Sequence, residues 1–182
     1  AFPVIFSYTP YHRSFLDPAS GTVPLGLYKF FVSRGYAYVA ADMRGTGASF
    51  GWNNIMDEEM RHDSKEIIDW IAAQEWSDGN VGMTGGSYIG WSQLASASMK
   101  PEALKAIIPI HAGWDSFLMH PGGIYSYAMM QTWTAMTYAI NRNQMFGQFP
   151  VPPAPPVIDE DGDGELADEI PVDQDGSVWF ND

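Results

Sequence analysis

The sequence predicts an α/β fold, and three observations carry that expectation. Short runs rich in β-branched and aromatic residues alternate with helix-like segments of about ten to twenty residues, the pattern of βαβ units and a mainly parallel sheet. The strand-like runs are apolar without polar alternation, as strands covered on both faces are. Of 182 residues, 46% are apolar and 17% charged, enough for one sizeable domain with a real core.

Val4-Ile5-Phe6-Ser7-Tyr8 reads as a buried strand stopped by Thr9-Pro10. Pro24 to Arg34, apolar at Leu25, Leu27, Tyr28, Phe30, Phe31 and Val32, predicts a helix closed by Gly35. Tyr36 to Ala41 is a second strand, ended by Asp42-Met43-Arg44-Gly45. From Asp57 to Trp76, Ile67, Ile68 and Ile71 recur as one helix face requires. Ser77-Asp78-Gly79-Asn80 predicts a turn and Val81-Gly82-Met83-Thr84 a third strand. A helix over Tyr88 to Met99 and a fourth strand over Ala106 to Ile110 follow.

After Gly113 the texture changes. Tyr125 to Ile140 is helical in character, with Met129, Met130, Trp133, Met136, Thr137 and Ile140 in a stripe of a kind more often core than pocket. Pro150 to Pro156 holds five prolines in seven residues, an extended and stiff connector, and an acidic stretch runs from Asp159 to Asp175. The expected division is a core over 1–113, a helical segment over 114–149 and a connector with acidic segment over 150–182. No internal repeat is present.

A formal net charge of −13 argues against nucleic acid and anionic membrane surfaces as partners. With no cysteine, the chain has no disulfide framework, thiolate zinc site or thiol nucleophile. No apolar run approaches the length of a membrane span. The chain opens on Ala1-Phe2-Pro3 directly before a strand, so it is expected to be an internal piece of something longer.

The most informative stretch is Val81-Gly82-Met83-Thr84-Gly85-Gly86-Ser87-Tyr88-Ile89-Gly90-Trp91. A strand runs into a glycine pair, one serine and then a helix. Lifting a serine oxygen above a sheet needs a sharp strand-to-helix turn whose crowded backbone accepts only small neighbours. The helix that follows points its first N–H groups at the site, where a developing oxyanion is stabilised. The alternative reading is a tight turn whose serine merely caps the helix. Gly-x-Ser-x-Gly itself is not met, because position 89 is Ile and the second glycine is Gly90.

Gly85-Gly86-Ser87-Tyr88-Ile89-Gly90 nevertheless resembles the Gly-x-Ser-Tyr-x-Gly signature of the serine hydrolases grouped as cocaine esterase, X-Pro dipeptidyl-peptidase and α-amino acid ester hydrolase. The resemblance extends to Asp42-Met43-Arg44-Gly45-Thr46-Gly47-Ala48-Ser49, to Asp69-Trp70-Ile71-Ala72-Ala73-Gln74, to Trp76 through Met83 and to Leu104 through Pro109. It covers about residues 3 to 145. It implies an α/β-hydrolase fold, a mostly parallel sheet flanked by helices, followed by the start of a helical cap in a chain that looks truncated.

The resemblance also implies an oxyanion hole made by the Tyr88 backbone N–H and the Tyr11 hydroxyl, with Ser87 as nucleophile. Tyr11 follows the C-terminal end of a strand, the side where open α/β sheets build their sites, and a phenol donates a hydrogen bond without carrying charge. A serine at neutral pH needs a base, and in this fold the chain order is Ser, acid, His. His12 and His62 precede Ser87; His111, with Asp115 four residues on, would reverse the order; His120 lies in a loop beside Pro121-Gly122-Gly123. The family's acid and histidine come from later strands, beyond the end of this sequence.

Asp159, Asp161, Asp163 and Glu165 place oxygens at alternate positions among glycines, the arrangement that wraps a hard cation such as Ca²⁺, with Asp168 or Glu169 available to close a short loop. A full EF-hand loop would need Glu at the twelfth position, where Ile170 stands. A solvated acidic linker is read equally from the same residues, and calorimetric titration with Ca²⁺ separates the two.

Together these readings predict a serine hydrolase acting on a small carboxylic ester or amide, with no organic cofactor. The remaining half of the hydrolase, on the same or a separate chain, is its expected partner. The Trp and Met content of 114–149 suggests an apolar or aromatic acyl group. The rival is a non-catalytic module that binds or oligomerises through its aromatic surface and a calcium loop. Such a calcium loop would favour an extracytoplasmic or secreted home. A sheet lacking its last strands would leave a raw edge, so residues 1–182 alone are expected to aggregate.

Overall fold

The computed structural model of the chain describes residues 1–11, 13, 27–46, 49–51, 57–113, 121–124 and 126–141. In order, these form β1 (Phe2–Thr9), α1 (Leu27–Val32), β2 (Ala37–Asp42), α2 (Glu58–Ala72), β3 (Ser77–Gly86), α3 (Tyr88–Ser98), β4 (Leu104–Ile110), a short 3-10 turn (Pro121–Gly123) and α4 (Tyr127–Asn141). The four strands are parallel and lie in the order β2-β1-β3-β4. From β1 the chain moves outward to β2, then returns to β3 on the other side of β1 and continues to β4. That reversal opens a crevice beyond the C-terminal ends of β1 and β3, where open α/β sheets place ligands.

The core follows from the alternating side chains of the inner strands. Val4, Phe6 and Tyr8 of β1 and Val81 and Met83 of β3 are buried together. They meet Met60, Ile68 and Ile71 of α2, which with the buried Ser64 line one face at spacings of three and four. The start of α2 is fixed by Asp57, whose carboxylate accepts from the Met60 N–H at 2.8 Å, and Glu58 and Glu59 sit at the helix's positive end.

Three expectations need correction. Ser77 to Asn80 belong to β3, because Phe2 pairs with Ser77 and the Phe2 N–H donates to the Trp76 carbonyl at 2.7 Å. The turn chemistry is present there all the same. The Ser77 hydroxyl accepts from Gly79 N–H at 3.1 Å and Asp78 from Asn80 N–H at 2.9 Å. This forms a bulge inside the strand, at the register shift between Phe2 and Val4. The second correction is β4, which is not covered on both faces among the described residues. It is the last strand of the sheet, and Ile108 and Ile110 are exposed. The third is the apolar stripe of α4. Trp133 packs against the core, but Met129 is exposed and Met130, Met136 and Thr137 are only half-buried. No helix among the described residues is long and apolar enough to cross a membrane.

Candidate active site

Ser87 stands between β3 and α3 with φ 57° and ψ −127°, a strained backbone for a non-glycine residue that costs about 1–3 kcal/mol. The surroundings hold it there. Its N–H donates to the Ile110 carbonyl at 3.0 Å, and its own carbonyl accepts from Gly90 N–H at 2.9 Å and Trp91 N–H at 3.1 Å. Gly85, at φ +148°, has Ile89 Cγ2 only 2.4 Å from where a Cβ would stand. A Cβ on Gly90 would come within 2.7 Å of Ala112 Cβ and 2.9 Å of the Ile110 carbonyl oxygen. Gly86 is different: its Cβ would meet nothing nearer than 3.5 Å. The glycines this turn requires sterically are Gly85 and Gly90, and the displaced second glycine is what lets α3 close onto the end of β4.

A buried amide ties the turn together from behind. Gln93, fully buried on α3, donates to the carbonyls of Gly85 at 3.2 Å and Ile89 at 3.0 Å and accepts from the Ile108 N–H at 2.9 Å. The nearby Ser92 hydroxyl is satisfied by the carbonyls of Tyr8 at 2.9 Å and Ile89 at 3.0 Å.

The Ser87 side chain makes no capping hydrogen bond to its helix. Its Oγ lies 3.1 Å from the Tyr11 hydroxyl, brought there from 76 residues away by the adjacency of β1 and β3. The segment carrying Tyr11 is anchored at both ends. Tyr11 N–H donates to Thr9 Oγ1 at 3.0 Å. Two residues on, the Arg13 backbone N–H and guanidinium both bond the fully buried carboxylate of Asp42, the latter at 2.7 Å. Asp42 closes β2, so three strand ends converge on the tyrosine–serine pair. Tyr88, the first residue of α3, has its amide beside Ser87 and its ring buried, with its hydroxyl 3.7 Å from Met60 Sδ. Trp133 of α4 lies flat on that ring, centroids 5.8 Å apart and planes 9° apart, and its indole N–H donates to the Tyr11 hydroxyl at 3.4 Å.

A cleft of about 340 Å³ lies elsewhere, between α2 and the ends of β1 and β2, and Ser87 is not in its walls. Arg44 and Asp63 on its lining are paired to each other, Nε to Oδ2 at 2.6 Å. The Tyr8 hydroxyl beside them is buried without a partner among the described residues. Burial, reinforced by the Asp63 charge, pushes its phenol well above the usual tyrosine value. The convergence of reactive groups is at Ser87.

The model of the X-Pro dipeptidyl-peptidase (S15) family matches residues 1–147. The chain belongs to that family. Cocaine esterase of Rhodococcus sp. (strain MB1 Bresler) is 36% identical to it over 138 residues, covering 74% of this chain and 23% of that protein. The Xaa-Pro dipeptidyl-peptidase of Lactobacillus delbrueckii subsp. lactis is 30% identical over 120 residues, 56% of this chain and 15% of that one. A solved CocE/NonD family hydrolase from Staphylococcus aureus superposes with a TM-score of 0.63 at 31% identity, over 76% of this chain and 28% of its own. Its sheet flanked by helices is thus the fold of this S15 chain. The chain spans about a quarter of the length of several curated relatives it matches.

Within this S15 chain, the Tyr11 hydroxyl and Ser87 Oγ lie within hydrogen-bond distance, and Tyr88 follows Ser87 at the start of α3. The two described histidines, His62 and His111, do not join them. His62 lies on α2, 3.8 Å from Glu58, and His111 is exposed just past β4 with φ 49°. Neither bonds Ser87. His12 and His120 lie outside the described residues, as do Asp115 and the proposed cation ligands Asp159, Asp161, Asp163, Glu165 and Asp168. Two contributors were missed from the sequence. Gln93 is one of several polar residues on α3, beside Ser92, Ser96 and Ser98, and Trp133 is one ring in an apolar stripe.

Proposed function

We propose that the polypeptide carrying this chain is a serine hydrolase that cleaves a carboxylic ester or amide through an acyl-enzyme. The observation that carries this reading is the 3.1 Å approach of the Tyr11 hydroxyl to Ser87 Oγ at a strained, glycine-flanked turn. A serine used only to cap a helix would spend its oxygen on the helix amides. A serine meant to react needs its oxygen exposed beside donors placed for the charge that develops on a neighbouring atom.

Ser87 Oγ attacks the carbonyl carbon, and its proton passes to a base. Charge collects on the former carbonyl oxygen, where the Tyr11 O–H and the Tyr88 N–H donate to it. Collapse expels the alcohol or amine, which takes the proton from the base, and water then releases the acid by the same steps in reverse. The base and the acid that orients it are a histidine and a carboxylate from outside these 182 residues, following the chain order of the α/β-hydrolase fold. The relatives are named for ester and peptide substrates alike, which supports acyl transfer as the shared chemistry without selecting between the two.

The test is labelling of the complete polypeptide with a fluorophosphonate probe. Stoichiometric modification that disappears in Ser87→Ala is the expected result. A protein that folds normally and takes up no label would instead favour a binding or assembly module on a hydrolase scaffold.

A further inference from the structure

The contact between Tyr11 and Ser87 joins two hydroxyls, and either can be the donor. The difference matters for the reaction. If Ser87 donates, the phenol proton is turned elsewhere; if Tyr11 donates, its proton already lies on the side where negative charge will form. An indole N–H is a donor and nothing else, whereas a phenol offers one proton and accepts at its oxygen. Trp133 Nε1 stands 3.4 Å from the Tyr11 oxygen, so the indole fills an acceptor position there. With one acceptor position filled, a proton facing Ser87 completes the in-plane bonding of the phenol. A hydroxyl that accepts one bond also donates the next more strongly.

We propose that Trp133 is a positioning residue, whose indole N–H holds the Tyr11 hydroxyl with its proton facing Ser87. This rests on the hydrolase reading above and deepens it. The tryptophan is itself held in register, because its ring lies flat on Tyr88, the residue whose backbone N–H is the other donor. One side chain therefore contacts both residues of the oxyanion site, by hydrogen bonding one and stacking on the other. Trp133 comes from α4, a helix that presents Tyr127, Ala128, Met129, Gln131 and Thr132 to solvent. The orientation of a donor at the end of β1 thus depends on how that helix is seated.

The test is a double-mutant cycle in the complete polypeptide, read with an activated ester. Trp133→Phe keeps a flat ring against Tyr88 and removes the N–H. It should lower kcat about fivefold, the worth of one neutral hydrogen bond. In a Tyr11→Phe background the same substitution should leave kcat unchanged, since no phenol remains to be oriented. Replacing Trp133 with its benzothienyl isostere, which has the same area and no N–H, should reproduce both results even if the phenylalanine variant folds poorly. An unchanged kcat in the otherwise wild-type protein overturns the proposal, and so does a loss of equal size in the Tyr11→Phe background. Full turnover in Ser87→Ala would overturn the hydrolase reading itself, whereas a dead Ser87→Ala with an indifferent Trp133 overturns only the present inference.

Discussion

Along β1, Val4, Phe6 and Tyr8 are at most 1% exposed, whereas along β4 Ile108 and Ile110 keep 58% and 41% of their surface in solvent. The two strands are built from similar residues, and their neighbours make the difference. β1 has a strand on each side and α2 and α3 against it; β4 closes the sheet, with α3 packed near it. An apolar run records a demand for burial, and the fold decides how far it is met. The proposed site lies at the ends of the buried strands. Tyr11 follows β1, Ser87 follows β3, and the turn between β3 and α3 is braced by the Gln93 amide, which bonds Gly85, Ile89 and Ile108.

The sharpest way to test that contrast is in the core of β1. Phe6 is fully buried among Tyr8 and its neighbours, so Phe6→Ala removes both its transfer energy and its packing and leaves a cavity. A loss of about 3–5 kcal/mol is expected, measured by urea unfolding of the complete polypeptide. A loss below about 1 kcal/mol would mean that β1 is no better packed than β4, and the comparison would fail.

At the site itself the effect should appear in rate and not in stability. Tyr11→Phe removes the hydroxyl proposed as one oxyanion donor and keeps the ring, so kcat should fall roughly 10²-fold with the unfolding midpoint unchanged. Unchanged turnover would remove Tyr11 from the reaction. A shifted midpoint with little change in rate would make its bond to Ser87 structural.

The glycines separate close packing from mere proximity. Gly90→Ala would press a methyl to 2.7 Å from Ala112 Cβ and 2.9 Å from a backbone oxygen that cannot swing aside, costing about 1–3 kcal/mol and disturbing Ser87 with it. Gly86→Ala, meeting nothing inside 3.5 Å, should be far milder in the same thermal melt. Equal penalties would show that the turn's demand for glycine is not steric.

How much of this was legible in the residues depends on the range of the interactions. The order of strands and helices follows from local periodicity, and Ser87 from a glycine-rich strand end; both are written within a dozen residues. Tyr11 as its partner was not: it came from a family resemblance, because nothing local says that a loop after β1 meets a turn 76 residues on. Trp133 was less legible still, since an aromatic in an apolar stripe has the same signature whether it fills a core or donates to a phenol. At Ser77 to Asn80 the local chemistry was read correctly and its context was not, because a turn inside a bulge uses the same side chains as one between elements.

The smallest expected effect lies on β4, where the comparison is most exposed to refutation. Ile108 is 58% exposed, so Ile108→Lys in the 182-residue chain gives up little burial; it should shift stability by no more than about 0.5 kcal/mol and the thermal midpoint by less than about 2 °C. A lysine at the last strand of a sheet also opposes edge-to-edge pairing. Light scattering should therefore show the variant aggregating at higher concentration than the unaltered chain, which is itself expected to aggregate. A midpoint lowered by many degrees would instead mean that Ile108 is buried as the side chains of β1 are, and the contrast between the two strands would fail.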